Sequence, residues 1–236
     1  MKPSTEKAMA LLSSGLDSAV SMAWIHSEGS KIQTALTFDY GQRAKSQEIQ
    51  HAHSICNFYG IRHEVITLPW FSTFESKGLL STTEKLAQPN LETLNHPVAS
   101  LKSAAQVWVP NRNGVFLEVA ASIAESRNIN RIIVGFNAEE AVTFPDNSAS
   151  YLNAINKSLA LSTANQVKIE SPTLQMNKNE IVALGNSLMF PFHLLWSCYE
   201  ANDTMCGSCE SCMRLKRALI QNGNSIDGLF INTTLN

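Results

Sequence analysis

Charge is scarce in this chain of 236 residues: Asp, Glu, Lys and Arg together make up 16% of it, and the formal net charge is -2. That balance excludes a broad basic surface that would hold a nucleic acid by its phosphates, and it excludes an acidic tail. Long apolar runs are missing too. Near the N-terminus only residues 8–12 are apolar in succession, too few for the core of a signal peptide, and no segment approaches a membrane span. Two familiar phosphate-binding loops are absent: there is no G-x-x-x-x-G-K-[ST] and no G-x-G-x-x-G after the first apolar strand. No internal repeat or low-complexity tract is present. Cysteine is rare except in one place, for four of the five lie between Cys198 and Cys212 and Cys56 stands alone. A disulfide framework would spread its cysteines to close useful loops, whereas four in one short stretch suit a metal and a reducing compartment. The expectation is a cytoplasmic protein with no membrane and no nucleic-acid partner.

What is present reads as alternating strands and helices. Apolar runs or alternation predict strands at 8–12, 34–38, 63–68, 131–136 and 167–170. Helical periodicity covers 17–27, 47–59 (stopped by Gly60), 114–127, 148–163 and 178–188. Residues 69–106 are poorly periodic and read as a long loop, a length that in a compact domain is usually functional. Strands alternating with helices predict an α/β fold, a Rossmann-like parallel sheet flanked by helices. The expected organisation is an α/β part over 1–170. A smaller helical, cysteine-bearing region over 171–236 would pack against it as one unit.

The chemistry concentrates at the junction of the first strand and helix. Leu12-Ser13-Ser14-Gly15-Leu16-Asp17-Ser18 lies beyond the carboxyl end of a strand, where open parallel sheets bind ligands. A tight Gly/Ser turn presents successive backbone N–H groups to an anion. The helix adds its own free N–H groups and dipole, and the three serines add hydroxyl donors. Asp17 beside a polyphosphate would cap the helix or hold a divalent cation; as a plain turn, the same residues would serve as N-cap and loop.

SSGLDS after an apolar strand resembles the PP-loop, S-G-G-x-D-S, of the N-type ATP pyrophosphatases, with Ser14 in place of the usual glycine. Further blocks narrow the resemblance: 36–43 (LTFDYGQR), 109–113 (VPNRN), 144–147 (FPDN), 177–181 (NKNEI) and the cysteine cluster occur in the same order in 7-cyano-7-deazaguanine synthases, and the likeness runs over about 9–217. The stretch 135–140 (GFNAEE) differs from the more usual G-[VA]-x-x-x-D. The resemblance implies a PP-loop (HUP-type) fold and ATP-dependent conversion of 7-carboxy-7-deazaguanine and ammonia to the nitrile used in making queuosine. The route adenylates the carboxylate, forms an amide, activates the amide oxygen and dehydrates it. It implies ATP with Mg²⁺ as cofactor, free ammonia as nitrogen source and a homodimer. Carried over by position, Ser13, Gly15, Asp17 and Ser18 would meet phosphates or Mg²⁺, and Lys178 and Arg112 would supply positive charge. Tyr40, Gln42, Arg43, Asn111, Asn113, Glu140 and Asp146 are candidate substrate contacts. An ion pair competes for Arg43 and a cap for Asp146.

Cys198, Cys206, Cys209 and Cys212 give C-x7-C-x2-C-x2-C. Four thiolates make a closed tetrahedral zinc site, structural because no coordination position stays open. A [4Fe–4S] cluster also takes four cysteines, although the Cys-Pro that ends the ferredoxin run is missing; the family resemblance points to zinc. Cys56 reads as a core residue, and no histidine receives a role. Two other function classes fit parts of the pattern: a PP-loop enzyme adenylating a different acceptor, such as a tRNA base or a protein terminus, and a non-catalytic zinc-bearing binding module.

Overall fold

The structure is a computed structural model and describes residues 7–75, 77–94 and 96–235. In chain order the elements are β1 (Lys7–Leu11), α1 (Leu16–Ser27), β2 (Lys31–Asp39), α2 (Lys45–Tyr59), β3 (Arg62–Thr67), α3 (Leu91–Leu94), α4 (Pro97–Val107), α5 (Arg112–Ser126), β4 (Arg131–Ile133), α6 (Ala149–Ser162), β5 (Lys168–Glu170), α7 (Lys178–Ser187) and α8 (Glu210–Gln221). Among the described residues the strands form one sheet in the order β3-β2-β1-β4-β5, with every pairing parallel. No helix among them is long and apolar enough to cross a membrane.

Strand β1 shows why both faces are covered. Ala8, Ala10 and Leu12 point to one side and Met9 to the other, the period of two that a strand imposes. The first face packs α1, α2, α7 and α8 around Val20, Ile55, Ile181 and Leu215. The second packs α5 and α6 with the 68–109 segment around Phe71, Leu117 and Leu159. The first core takes in Trp196 and three buried cysteines, Cys198, Cys209 and Cys212, so the C-terminal region closes the same face that α1 opens. Cys56 is fully buried there, as a core residue should be.

The strand order reverses at β1, with β2 on one side and β4 on the other, and a crevice opens beyond the carboxyl ends of β1 and β4. Two segments differ from the sequence reading. Residues 69–106 contain 3₁₀ turns, α3 and α4 instead of a plain loop. Helix α4 escapes a periodicity argument because two of its large apolar side chains, Val98 and Leu101, face outward at 71% and 56% exposure, while the small Ala104 faces in. Strand β4 stops at Ile133, earlier than expected, although the Val134 N–H still donates to the Glu170 carbonyl at 2.9 Å. The next residue, Gly135, turns toward the β1–α1 loop.

Candidate active site and thiolate centre

The crevice holds a cavity of about 270 Å³, lined by the β1–α1 loop, the ends of β2 and β4, the start of α5, Lys178, and Trp196 to Tyr199. The loop is tied to itself. The Ser13 N–H donates to Ser18 Oγ at 3.2 Å, the two hydroxyls lie 3.1 Å apart, and the Gly15 N–H donates to Ser13 Oγ at 3.4 Å. Thr37 on β2 fixes the entry by donating to the Leu12 carbonyl at 2.6 Å. The helix N-cap is Gly15, with no side-chain cap, so Asp17 does not serve as the cap.

Ser14 occupies the left-handed region, with φ +61. A glycine adopts this conformation without cost, and a serine keeps it only when its surroundings hold it there. Here the Ser14 hydroxyl donates to the Ser13 carbonyl at 2.5 Å and reaches the Trp196 carbonyl at 3.3 Å, while the Trp196 N–H donates to the Ser14 carbonyl at 3.0 Å. The substitution for glycine is thus accommodated by named contacts.

Gly135 meets the loop from β4. A Cβ built there would sit 2.2 Å from the Ser18 nitrogen and 2.5 Å from the Asp17 carbonyl carbon. The strand end and the loop backbone approach closely only because the side chain is missing.

Among the described residues Lys178 is one of two cations that line the crevice. Helix α7 starts on a complete capping box, Asn177 with Glu180, which fixes Lys178 in its first turn. The ammonium is buried and lies 2.5 Å from Asp17 Oδ2 and 2.5 Å from Glu140 Oε1. Burial works against its charge, yet the two carboxylates prevail and hold it above the ordinary lysine value. Burial pushes Asp17 up, from 3.8 to about 6, against the pull of Lys178 and with the help of Glu140. Glu140 moves the opposite way: burial raises it, but Lys178 and two arginines outweigh that and lower it. One ammonium therefore serves two carboxylates and satisfies Glu140 better. Asp17 Oδ1 is buried and has no hydrogen-bond partner among the described residues. That orphaned oxygen fits a divalent cation brought in with a polyphosphate.

Arg112 also faces the cavity. Its guanidinium donates to Tyr40 Oη at 3.2 Å and stands 5.8 Å from that ring's centroid. Burial opposes its charge, and Tyr40, Asp146 and Glu48 sustain it. Asn113 and Glu140 line the cavity beside it, whereas Asn111, exposed with φ +50, turns the chain into α5. Gln42 bridges within the β2–α2 connection, accepting from the Tyr40 N–H and donating to the Phe38 carbonyl and Glu48. Arg43 points away: it pairs with Glu200 at 2.9 Å and donates to the carbonyls of Gly78 and Glu84. Asp146 sits in a 3₁₀ turn beside Asn147, and of the two Asn147 lines the cavity.

The sequence reading did not pick out Glu48, Trp196 or Tyr199, which line the cavity. Glu48 is raised by burial, with Gln42 and Arg112 opposing. Tyr199 is raised well above the ordinary tyrosine value, first by burial and then by Glu210. Glu48 lies in the first turn of α2 among Lys45, Ser46, Gln47 and Gln50. Neighbours of that kind read as an ordinary solvated helix face, so no local signal marks it.

The four cysteine sulfurs lie within 4.8 Å of one another, a group that could hold a metal ion. Ligands about 2.3 Å from one tetrahedral ion sit roughly 3.8 Å apart, and Cys206 Sγ lies 3.9 Å from Cys212 Sγ. Backbone N–H groups point at the sulfurs: those of Glu200 and Cys206 at Cys198, and those of Ser208 and Cys209 at Cys206, all at 3.3–3.4 Å. Such donors favour thiolates, the form a metal binds.

The chain matches the model of the family described as "Queuosine biosynthesis protein QueC" over residues 7–223. It is 44% identical over 226 residues to a 7-cyano-7-deazaguanine synthase of Desulforamulus reducens, covering 96% of this chain and 99% of that protein. It is 47% identical over 212 residues to a protein of the same name from Pelotomaculum thermopropionicum, covering 90% and 96%. Among solved structures, an NMN synthetase from Francisella tularensis aligns with TM-score 0.47 and 18% identity, over 95% of this chain and 80% of that one.

Proposed function

The chain belongs to the QueC family of queuosine biosynthesis proteins, and from that premise we propose that it is an ATP-dependent 7-cyano-7-deazaguanine synthase, joining ammonia to 7-carboxy-7-deazaguanine and dehydrating the amide to the nitrile. One observation carries the reading from family to chemistry. The serine loop, Lys178 and Arg112 come from distant parts of the chain and converge on a single cavity beyond β1 and β4.

In this reading the hydroxyls of Ser13 and Ser18 and the N–H groups at the start of α1 receive the β- and γ-phosphates of ATP. Ser14, Gly15 and Leu16 shape that backbone. Asp17 would hold Mg²⁺ through Oδ1, and the ion would neutralise phosphate charge as pyrophosphate leaves. Lys178, kept protonated by Asp17 and Glu140, supplies a fixed positive charge where the α-phosphate is attacked. Arg112, braced by Tyr40, presents its guanidinium to the substrate carboxylate or the adenylate it becomes. The carboxylate oxygen attacks the α-phosphorus and pyrophosphate departs; ammonia then displaces AMP from the acyl carbon. Repeating the adenylation on the amide oxygen and losing AMP leaves the nitrile.

The four thiolates hold zinc, which closes the C-terminal region and takes no part in the chemistry. The nitrogen donor is free ammonia, and the enzyme works as a cytoplasmic homodimer. The test is mass spectrometry of the purified chain incubated with Mg-ATP, ammonium and 7-carboxy-7-deazaguanine. AMP together with the nitrile is the expected result. AMP without the nitrile would transfer the chain to another acceptor, and no AMP beside an intact metal centre would make it a binding module.

A further inference from the structure

The phosphate loop and the thiolate centre meet at one backbone pair. Trp196 donates its N–H to the Ser14 carbonyl at 3.0 Å, and its own carbonyl lies 3.3 Å from the Ser14 hydroxyl, which shares its one hydrogen with the Ser13 carbonyl at 2.5 Å. Two residues further on is Cys198, whose sulfur accepts the N–H groups of Glu200 and Cys206 at 3.3 Å. The intervening Ser197 stands over the loop, its hydroxyl 3.9 Å from where a Cβ on Gly15 would be. Ser14 carries φ +61, a conformation a serine abandons unless neighbours hold it, and Trp196 is the tertiary neighbour that does so by hydrogen bonds. Nothing else in the loop needs this: Gly15 has ordinary extended backbone, with φ -69 and ψ 161.

We propose that Ser14 and Trp196 are positioning residues through which metal loading of the four-cysteine centre and binding of the ATP triphosphate reinforce one another. The inference rests on the reading that the loop binds the ATP phosphates. With the metal in place, Cys198 is fixed, the 196–198 backbone is ordered, and Ser14 is held in the left-handed conformation that turns the loop N–H groups toward the phosphates. Without it, the 196–198 segment loosens and Ser14 relaxes. Linkage makes the effect mutual at equilibrium, so a ligand that fills the loop must raise the affinity for the metal by the same factor. A glycine at position 14 needs no such hold. It would keep the loop conformation whether or not Trp196 is fixed, and only the Trp196 N–H bond to the carbonyl of residue 14 would still join the two sites.

The experiment titrates the zinc-loaded full chain with a chromogenic zinc chelator to equilibrium, and reads the zinc affinity with no nucleotide, with saturating MgATP and with saturating AMP. Calorimetry on the same samples reports whether each nucleotide binds. MgATP is expected to raise the zinc affinity at least about fivefold, the lower end of usual coupling. AMP, which lacks the phosphates the loop would grip, should leave the zinc affinity within about twofold of the nucleotide-free value. At MgATP concentrations that calorimetry shows to saturate it, Ser14→Gly should lose most of the effect on zinc. An unchanged zinc affinity in a chain that calorimetry shows to be saturated with MgATP would overturn the coupling while leaving the phosphate loop standing. So would an equal effect of AMP, or a Ser14→Gly chain that keeps the full effect. A chain that binds no MgATP, or carries no zinc, overturns the reading of the site and the inference with it.

Discussion

Replacing Asp17 by asparagine removes one charge, changes the side-chain volume little and leaves an oxygen to accept from Lys178. In the folded chain Asp17 is pushed from 3.8 to about 6, mainly because burial disfavours its charged form. At roughly 1.4 kcal/mol per pH unit, ionised Asp17 costs the fold on the order of 3 kcal/mol at neutral pH. The sign follows from the direction of the change: the folded chain binds this proton more tightly than the unfolded one. Stability is therefore greatest below the ordinary value and is lost as pH rises through about 6. Asp17→Asn, which mimics the protonated acid, should be more stable than the parent by about 3 kcal/mol at pH 7.5 and by only about 1 kcal/mol at pH 4.5. For a chain of this size the neutral-pH gain corresponds to a melting temperature roughly 6–12 °C higher. The assay is urea and thermal unfolding of both proteins at the two pH values in magnesium-free buffer, so that no cation lowers the parent's cost. The same substitution removes the carboxylate proposed for Mg²⁺, and AMP formation should fall at least about 100-fold. A variant that melts below the parent at pH 7.5, or a margin that does not change between the two pH values, would refute this account of Asp17.

Three further outcomes follow from the geometry. Gly135→Ala pushes a Cβ into the backbone of Asp17 and Ser18; overpacking of this kind costs about 1–3 kcal/mol, and calorimetry should show ATP affinity falling more than about tenfold through the displaced loop. Cys209→Ser breaks a closed four-thiolate set, and metal analysis should find zinc content well below one per chain together with a lowered melting temperature, because structural zinc binding is folding free energy. Arg43→Ala leaves Glu200 and the Glu84 carbonyl without the donor they have in Arg43, and the Gly78 carbonyl with the Ser81 N–H alone; denaturant unfolding should show a loss of about 1–3 kcal/mol, while steady-state kinetics should show KM for the deazaguanine unchanged, since the side chain points away from the cavity.

Much of the fold was legible because its signals are local. Residues 8–12 alternate between two cores, Gly60 stops a helix with φ +66, and Asn177 with Glu180 announces the start of α7. The C-x2-C spacings bring the sulfurs together whatever the rest of the chain does. The helix at α4 was hidden because its exposed Val98 and Leu101 reverse the usual pattern. Among the candidate contacts, Arg43 and Asn113 look alike as polar residues in matching motifs, yet Asn113 lines the cavity and Arg43 does not. A motif gives the residue type and leaves the direction of the side chain open.

An alternating α/β chain, a serine-rich turn after the first strand and a four-cysteine cluster near the end are written in the sequence alone, since periodicity, turn chemistry and cysteine spacing act within a few residues. Only the tertiary structure decided that Lys178 is a buried cation shared by Asp17 and Glu140, 161 and 38 residues away in sequence. It alone decided that Gly135 must lack a side chain because it abuts the loop, and that Ser14 can replace a glycine because Trp196, 182 residues on, holds its backbone. These depend on which surfaces meet when the two faces of the sheet are covered. Burial, proximity of charge and backbone strain exist only once that packing has formed.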